Sequence, residues 1–570
     1  MRSWRINFIL VIFFVLGAAI ISRLFFLQII SHKLYQAQAL GQQAGFSETQ
    51  GKRGEVFFEN SQESKGAQGS GKTTGLAINK EKWIVSAMPG EIENKENFSQ
   101  ILSQAVGEEK EFVFSKIDSP DSYVIIKKDL PVETIEKIKK FNLKGLYWEN
   151  SQARYYPQGN MASSTIGFFG GDGAGQYGIE GYYDEVLKGK SGIKEQKRGL
   201  DLIGFQSSDA GLDGSDIYLT IDYNIQFEAE SLLQEAKESL DIASGQIIVM
   251  KPDSGRILAL ANYPSFDPNQ YSKERDLDIF QNASVQKLFE PGSVMKPFTM
   301  AAALNEGKIT PNTTFTDTGS VRIGIQTIYN FDRQKYGVQT MTGVLEKSIN
   351  TGAVFASQQI SHEILLDYFG KFGFWEKTGV DLQGESYSRN DVLKNGPDVG
   401  FATASFGQGI EMTPIQLARA FSVIANGGKL VEPYIAEKFA QNGTETKTSP
   451  KISEEQVISK ATASELTIML INVVERGFGD GAKIPGYYLA GKTGTAEVPF
   501  ENKKGYYPDK TIQSFIGFGP ALNPQFLILV KLDDPKVPKS SLSAVPVFKK
   551  LAQYIINYWQ IPPDYNVDKS

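Results

Sequence analysis

A long apolar run near the N-terminus, at residues 6–30, is almost free of polar side chains. It is long enough to span a hydrocarbon core of about 30 Å. Arg2 and Arg5 precede it, so the N-terminus is expected to stay cytoplasmic. The run is long for the apolar region of a cleaved signal peptide. We therefore predict a cytoplasmic tail at residues 1–5, a single membrane anchor at 6–30 and an extracytoplasmic location for the rest of the chain.

Beyond the anchor, the pattern of apolar and polar positions changes near residue 216. Residues 31–215 mix short strand-like and helical stretches with glycine-rich turns. From Asp216 a strand and an amphipathic helix open a second region, in which helices dominate to about Ile484 and strands then return. Strands at both ends of a helical region predict one sheet built from distant segments. We predict a multi-domain α+β protein, with one domain at 31–215 and another at 216–570.

Composition narrows the possible chemistry of the 570 residues. The chain has no cysteine, which excludes thiol catalysis, disulfides and cysteine-ligated metals. Its two histidines, His32 and His362, lie in settings that do not suit a Ser-His-Asp triad. A formal net charge of -6 without a basic block makes nucleic acid an unlikely partner. A catalytic base must therefore come from Lys, Asp or Glu, and we expect no metal and no cofactor.

A serine can be activated by a lysine one helical turn away, because the Ser-x-x-Lys spacing puts both side chains on one helix face. The helix dipole favours the developing negative charge, and a partly buried neutral lysine can accept the proton. Three matches occur, at Ser191/Lys194, Ser284/Lys287 and Ser293/Lys296. Only Ser293 follows a turn and precedes an apolar helix. Taken alone, an N-cap serine would be the commoner explanation.

Two further short motifs also occur twice each. Ser-x-Asn is found at Ser348/Asn350, in a predicted helix, and at Ser388/Asn390, in a charged loop. A hydroxyl and an amide at this spacing can relay a proton and bind a peptide carbonyl. Alone, such a pair is more often a helix cap or a surface pair.

Lys-Thr-Gly is found at residues 377–379, in a predicted loop, and at 492–494, just before the terminal strands. On an edge strand, Lys492 and Thr493 can bind a carboxylate, and Gly494 lets a ligand approach the backbone. The backbone N–H of Thr495 can form an oxyanion hole with that of Ser293.

The order Ser293, Ser348, Lys492 resembles the penicillin-recognising serine enzymes. The flanking sequences are similar to those of class B penicillin-binding proteins, and they read LTID at 219–222, YPSFD at 263–267, EPGS at 290–293, FGQG at 406–409, TPIQLA at 413–418 and GKTGTA at 491–496. RYYP at 154–157 and GIEGYYDEVLKG at 178–189 resemble the non-catalytic pedestal of the same class. The resemblance implies a pedestal (dimerisation-type) domain at 31–215. It also implies a transpeptidase domain at 216–570, with a central antiparallel sheet flanked by helices as in serine β-lactamases.

The resemblance also implies D,D-transpeptidation of peptidoglycan stem peptides, with β-lactams as covalent substrate mimics. Ser293 would be the nucleophile and Lys296 its base, Ser348 would pass a proton to the leaving amine, and Asn350 would hold the substrate backbone. The donor's carboxylate would be bound by Lys492, Thr493 and Thr495. Short runs such as residues 342–348 look more like the division-type enzyme than the elongation-type one. Other membrane proteins of the cell-wall or division machinery are expected partners.

Two other functions remain open at this stage. The first is a β-lactam-hydrolysing or carboxypeptidase relative, in which water replaces the acceptor amine; the pedestal argues against it. The second is a non-catalytic β-lactam sensor or division scaffold, which would be expected to carry a degraded motif. All three motifs are intact.

Overall fold

The computed structural model describes residues 46–49, 51–59, 74–190, 192–195, 211–500 and 505–566, with a few positions between 14 and 25. The predicted anchor at residues 6–30 therefore lies largely outside the described residues. Within the described residues, no helix combines the length and the hydropathy needed to cross a membrane.

The strands are numbered in chain order. Those before residue 200 are β1 (Phe46–Thr49), β2 (Val56–Glu59), β3 (Gly75–Ala87), β4 (Val124–Leu130), β5 (Leu146–Tyr155), β6 (Phe168–Phe169), β7 (Gly175–Gln176) and β8 (Gly192–Glu195). Those after it are β9 (Asp216–Asp222), β10 (Ser244–Met250), β11 (Ile257–Tyr263), β12 (Thr314–Asp317), β13 (Ser320–Ile323), β14 (Gln326–Tyr329), β15 (Gly337–Thr340), β16 (Lys429–Val431), β17 (Ala436–Gln441), β18 (Thr444–Lys447), β19 (Ile452–Gln456), β20 (Ala490–Pro499), β21 (Tyr506–Gly519) and β22 (Phe526–Asp533).

The α-helices of the described residues are numbered in the same way. They are α1 (Lys95–Val106), α2 (Lys110–Ile117), α3 (Val132–Lys139), α4 (Ser163–Ile166), α5 (Gly178–Tyr182), α6 (Asp184–Leu187), α7 (Tyr223–Leu240), α8 (Ala283–Gln286), α9 (Lys296–Asn305), α10 (Met341–Glu346), α11 (Asn350–Ser357), α12 (His362–Lys371), α13 (Asp391–Lys394), α14 (Asp398–Ala404), α15 (Pro414–Ala425), α16 (Lys460–Arg476) and α17 (Ala544–Tyr558). Short 3₁₀ turns lie at Pro89–Glu91, Pro268–Lys273, Leu277–Phe280, Gly292–Met295, Phe331–Arg333, Asp480–Ala482 and Ser540–Leu542.

The chain divides into two units, and the smaller one comprises residues 1–54, 185–215 and 441–443. In it, β1 pairs antiparallel with β8. The N–H of Gly54 donates to the carbonyl oxygen of Leu187 at 2.7 Å. Backbone pairing of this kind joins segments that are far apart in sequence.

The larger unit contains a five-stranded sheet in the order β11-β10-β22-β21-β20, with every pair antiparallel. Its strands come from both ends of the second region, as the sequence predicted. Helices α7 and α17 pack on it, and Phe526, Ile528, Val530 and Leu532 of β22 lie in the shared core. Alternate residues of a strand point to one face, so this set defines the covered face. The predicted antiparallel sheet flanked by helices is confirmed.

A second sheet of the larger unit has the order β18-β17-β9-β2-β3-β4, and β5 also pairs with β3. Strand β9, which opens the predicted second domain, runs parallel to β2 of the predicted pedestal. The two predicted domains are therefore joined by backbone hydrogen bonds. Helices α1, α2 and α3 pack beside β3, β4 and β5 around one apolar core.

Helices dominate the stretch to about Ile484 as predicted, but the structure also contains short strands there that the sequence did not predict. β12 pairs with β15, β13 with β14, and β16 with β19. Each of the first four has only four residues, too few for an alternating pattern to stand out. The turn of the β13–β14 hairpin even exposes Ile325, which is 93% accessible.

Candidate active site

Ser293 lies in the 3₁₀ turn Gly292–Met295, directly before α9. Gly292 has φ +61°, a conformation in which a side chain would be strained. Its N–H donates to the carbonyl oxygen of Gly407 at 3.0 Å, which ties the turn to the loop after α14. This loop carries the Phe-Gly-Gln-Gly sequence singled out earlier. The predicted turn before Ser293 and the helix after it are confirmed.

Lys296 is fully buried, and its Nζ contacts oxygen atoms of Ser293, Ser348 and Asn350. Its Nζ lies 2.8 Å from the Oγ of Ser293 and 2.8 Å from the Oδ1 of Asn350. It lies 2.7 Å from the carbonyl oxygen of Ser348. A neutral amine has two N–H groups, and these two carbonyl oxygens can only accept. The lone pair of Nζ can then accept the proton of the Ser293 hydroxyl, which is nearer than the Ser348 hydroxyl at 3.2 Å.

Ser348 lies in the break between α10 and α11, not inside a helix as predicted. Its φ of +56° is left-handed, which costs a non-glycine residue about 1 kcal/mol or more. This conformation brings its carbonyl and its hydroxyl to the same amine, with the Oγ 3.2 Å from Lys296 Nζ. Asn350 follows as the first residue of α11.

Lys492 lies on β20, the edge strand of the five-stranded sheet, as the sequence predicted. Its Nζ is 2.9 Å from the Oγ of Ser348 and 3.2 Å from the Oγ1 of Thr493. The three motifs therefore meet in one hydrogen-bonded chain that runs from Lys492 through Ser348 and Lys296 to Ser293.

Both lysines have a lowered pKa. Burial lowers the pKa of Lys296 well below its usual value, and the nearby Lys492 lowers it further. Burial also lowers the pKa of Lys492, to about 7. A lysine that is neutral near physiological pH can accept a proton, which an ordinary surface lysine cannot.

A cleft of about 1290 Å³ opens above these residues. Ser293, Ser348, Asn350, Thr493 and Thr495 line it. Strands place residues i and i+2 on one face, which explains why both threonines face the cleft. The cleft therefore exposes the nucleophile beside the polar edge of a strand.

Gly494 lies where β20 packs closely against its neighbours. A Cβ at this position would lie 2.3 Å from the Oγ of Ser514, 3.0 Å from Val294 and 3.2 Å from the carbonyl oxygen of Pro291. The glycine thus allows β20 to pack closely against the nucleophile turn. Its predicted role in letting a ligand approach the backbone stays a prediction.

The competing motifs are not assembled into a site. Ser284 is buried and donates to Asn262, whereas Lys287 is exposed. Asn390 exchanges hydrogen bonds with the backbone of Glu411. Ser191 lies outside the described residues.

The second Lys-Thr-Gly sequence also serves the fold. Both the N–H and the hydroxyl of Thr378 donate to the buried Glu385. The N–H of Gly379 donates to the same carboxylate at 3.2 Å. This loop therefore has its polar groups satisfied internally.

Some residues near the site had no distinguishing sequence signal. Glu290, in the Glu-Pro-Gly-Ser sequence, accepts hydrogen bonds from the N–H of Gly409 and from the Tyr506 hydroxyl. Burial raises its pKa. Asp317 and Asn330 form a second buried cluster beside α11. Among the described residues, no group of His, Asp and Glu is arranged to hold a metal ion.

Known families match most of the chain. The model of the penicillin binding protein transpeptidase domain matches residues 245–553, and that of the penicillin-binding protein dimerisation domain matches residues 52–219. Stage V sporulation protein D of Bacillus subtilis is 34% identical over 81% of this chain and 73% of its own. A probable peptidoglycan D,D-transpeptidase, PenA of Neisseria meningitidis, is 29% identical over 98% of this chain and 93% of its own.

A solved structure shows the same architecture. Penicillin binding protein 3 from Mycobacterium tuberculosis, complexed with ampicillin, superposes with a TM-score of 0.70 at 26% identity, covering 92% of this chain and 98% of the other. The chain belongs to the penicillin-binding protein family, as a class B member of the division type. The resemblance stated from the sequence is confirmed.

Proposed function

We propose that this protein cross-links peptidoglycan stem peptides by D,D-transpeptidation, with Ser293 as the nucleophile and Lys296 as its base. The observation that carries the proposal is the buried Lys296 Nζ, 2.8 Å from the Oγ of Ser293. The family match and the names of the relatives support the same reaction.

In the acylation step, the Oγ of Ser293 attacks the carbonyl carbon between two terminal D-alanines while its proton passes to Lys296. The oxyanion is stabilised by the backbone N–H groups of Ser293 and Thr495. The C–N bond then breaks, and the terminal D-alanine leaves with a proton delivered through the Ser348 hydroxyl. The product is a serine ester of the donor peptide.

In the second step, an amine of a neighbouring stem peptide attacks the ester. It gives up a proton through the same groups, the C–O bond breaks, and Ser293 recovers its hydrogen. Asn350 holds the donor backbone, and its side chain already contacts Lys296 at 2.8 Å. Lys492, Thr493 and Thr495 bind the terminal carboxylate of the donor.

A β-lactam follows only the first step. Opening its ring leaves the amine covalently attached, so nothing departs and the acceptor cannot replace it. The relative complexed with ampicillin supports this expectation for the present chain.

The setting of the reaction is part of the proposal. An uncleaved anchor at residues 6–30 would leave the cleft on the extracytoplasmic side, where peptidoglycan is assembled. The division-type membership favours septal wall synthesis, with other membrane proteins of the division machinery as partners.

The nucleophile can be identified by peptide mapping of a penicillin adduct. The full chain, purified in detergent, should gain one adduct on the peptide that contains Ser293, and Ser293→Ala should abolish it. Ser284→Ala is the matched control and should still label, since Ser284 is buried and its hydroxyl donates to Asn262. An adduct on another serine would refute the assignment.

Transpeptidation and hydrolysis differ in what releases the acyl group. A thioester donor should be turned over by the wild-type protein, and added D-amino acids should capture the acyl group in place of water. If the donor is hydrolysed and no acyl group is transferred to the D-amino acid, even at high acceptor concentration, the protein is a carboxypeptidase-like relative. If Ser293 acylates and nothing releases it, the sensor function is favoured.

A further inference from the structure

Asp317 ends β12 and is buried, with 3% of its surface accessible. Its carboxylate accepts hydrogen bonds from the N–H of Gly319 at 3.0 Å and the N–H of Tyr336 at 2.8 Å. Asn330 donates to both carboxylate oxygens at 2.9 Å. The Thr351 hydroxyl donates at 2.6 Å. One carboxylate thus joins β12, the far end of the β13–β14 hairpin and α11.

The charge of Asp317 is retained near neutral pH. Burial disfavours the ionised form, but the hydrogen bonds from Thr351, Gly319, Tyr336 and Asn330 outweigh it and lower the pKa of Asp317. Hydrogen bonds to a charged acceptor are stronger than those between neutral groups.

The start of α11 depends on this cluster, because the side chain of its N-cap residue cannot accept a hydrogen bond from the first N–H groups of the helix. Ile349 is the N-cap and provides no side-chain hydrogen bond. The N–H of Thr351 donates instead to the Oδ1 of Asn330 at 3.1 Å. A helix start without such a partner leaves N–H groups unsatisfied. The negative charge of the Asp317 carboxylate also interacts favourably with the positive N-terminal end of the α11 dipole.

The residue that this arrangement fixes is Asn350, the neighbour of Thr351. Its Oδ1 accepts from Lys296 at 2.8 Å, and its Nδ2 donates to the carbonyl oxygen of Tyr329 at 3.0 Å. Tyr329 precedes Asn330 and lies at the end of the hairpin. Both ends of the Asn350 amide are therefore set by elements that Asp317 holds together.

We infer that Asp317 is a positioning residue for the acylation reaction, acting through Thr351 and Asn330 to hold Asn350 against Lys296. It touches neither the nucleophile nor the base. Its loss would let the left-handed Ser348 and the first turn of α11 relax, and the lone pair of Lys296 would lose its direction. The inference rests on the proposed function of Ser293.

Thr351 offers the sharpest test, because the Asp317–Thr351 contact can be removed without altering the hairpin. The full chain in detergent is reacted with a fluorescent penicillin, and the acylation rate constant is separated from the binding constant. Thr351→Val removes the hydroxyl at constant shape and should slow acylation about tenfold with little change in binding. Thr351→Ser keeps the hydroxyl and should react within about twofold of wild type. Equal rates for the two variants would overturn the inference.

Asp317→Asn keeps one acceptor oxygen, so it cannot accept both from the Tyr336 N–H, which bonds one carboxylate oxygen, and from the Thr351 hydroxyl and Gly319 N–H, which bond the other. We expect an acylation rate at least about tenfold below wild type in protein that remains folded by circular dichroism. A folded Asp317→Asn protein that acylates at the wild-type rate would contradict the inference. If this variant does not fold, the Thr351 pair still decides.

Glu385→Gln is the matched control, since Glu385 is also a buried carboxylate that accepts three hydrogen bonds, all from Thr378 and Gly379. It should lower the melting temperature and leave the acylation rate of folded protein unchanged. A slowed control would show that any loss of a buried carboxylate impairs acylation, which would overturn a specific role for Asp317. A wild-type protein that never labels would instead refute the proposed function itself.

Discussion

The Nζ of Lys492 lies 2.9 Å from the Oγ of Ser348, which joins the edge strand of the sheet to the break between α10 and α11. Ser348 lies in turn 3.2 Å from Lys296 Nζ. A proton released on one side of the cleft can therefore reach the other through a single hydroxyl. Because both lysines are buried, their protonation should control the reaction, and the pH dependence of acylation is the natural test.

The first prediction concerns Lys296. It acts as a base only when neutral, and burial and Lys492 lower its pKa. The rate should rise with pH and reach its plateau well before about 10.4, the pKa of an unperturbed lysine. Lys296→Arg, which stays charged, should be slower by at least about a hundredfold. The measurement is the acylation rate against pH with a donor whose carboxylate is esterified.

A rate that keeps rising to pH 10 and beyond would mean that Lys296 is an ordinary lysine in solution. An active Lys296→Arg protein would mean that another group is the base.

The second prediction concerns Lys492, whose pKa is lowered to about 7. It carries its charge below that pH and loses it above. Recognition of a donor carboxylate should therefore weaken as pH rises through about 7. The kcat/KM for a thioester donor should fall relative to that of its methyl ester, because kcat/KM reports the free enzyme. The methyl ester is the matched control, because its reaction still depends on the protonation of the base Lys296 but not on binding of a carboxylate.

Identical profiles for the two donors would exclude Lys492 as the carboxylate partner. Lys492→Ala should abolish the pH dependence of the difference between the two donors around pH 7, whatever its effect on the absolute rate, because Thr493 and Thr495 do not titrate there.

The catalytic groups could be found from the sequence because each lies in a short motif with its own local geometry. Ser293 and Lys296 need only a turn followed by a helix. The Pro-Gly sequence before Ser293 predicts the turn, and the apolar run after it predicts the helix. The strand of Lys492 precedes two strongly apolar strands, so its place at a sheet edge could also be inferred. Choosing among repeated motifs relied on the order in which they occur.

The rest depends on contacts between distant residues, which leave no periodic signal. Asp317 binds groups at positions 319, 330, 336 and 351, which lie in three separate loops and in the first turn of α11. The break at Ser348 was missed because the residues on both sides favour a helix, while the left-handed φ of Ser348 is stabilised by tertiary hydrogen bonds. The close packing of Gly494 against Val294 is likewise invisible in one sequence.

The third prediction concerns Glu230 on α7, which accepts hydrogen bonds from the N–H of Ala162 and from Gln226, both at 2.7 Å. Burial raises its pKa from 4.5 to about 7. The folded state thus binds a proton that the unfolded state releases, so stability is highest at low pH and is lost as pH rises toward 7. Glu230→Gln should melt higher than wild type at pH 8 and similarly at pH 5.

Glu238→Gln, at an exposed position of the same helix, should show no such pH-dependent difference. If Glu230→Gln melted at or below the wild-type temperature at pH 8, the charged Glu230 carboxylate would not destabilise the folded state.

The last prediction concerns Arg154 and Glu180 in the predicted pedestal, a pair of opposite charges that could either stabilise this region or contact a partner protein. The guanidinium Nε lies 2.6 Å from the Oε1 of Glu180, and the side chains are 3% and 0% exposed. Arg154 also donates to Asn79, and the Tyr156 hydroxyl donates to Glu180. Burial on this scale leaves no surface for a partner, so it favours the structural role.

Arg154→Ala would leave the Glu180 carboxylate buried without its cation, and breaking a buried pair costs about 3–5 kcal/mol. We expect a clearly lower melting temperature and impaired growth or septation in cells, but normal β-lactam acylation of protein that is still folded. Lys144→Ala removes an exposed pair with Glu93, at 72% and 81% exposure, and should leave the melting temperature nearly unchanged. An unchanged melting temperature for Arg154→Ala with a cellular defect would favour a partner site. A tenfold slower acylation in stably folded Arg154→Ala protein would instead show that the pedestal is coupled to Ser293. The prediction that the pedestal does not affect the chemical step would then be wrong.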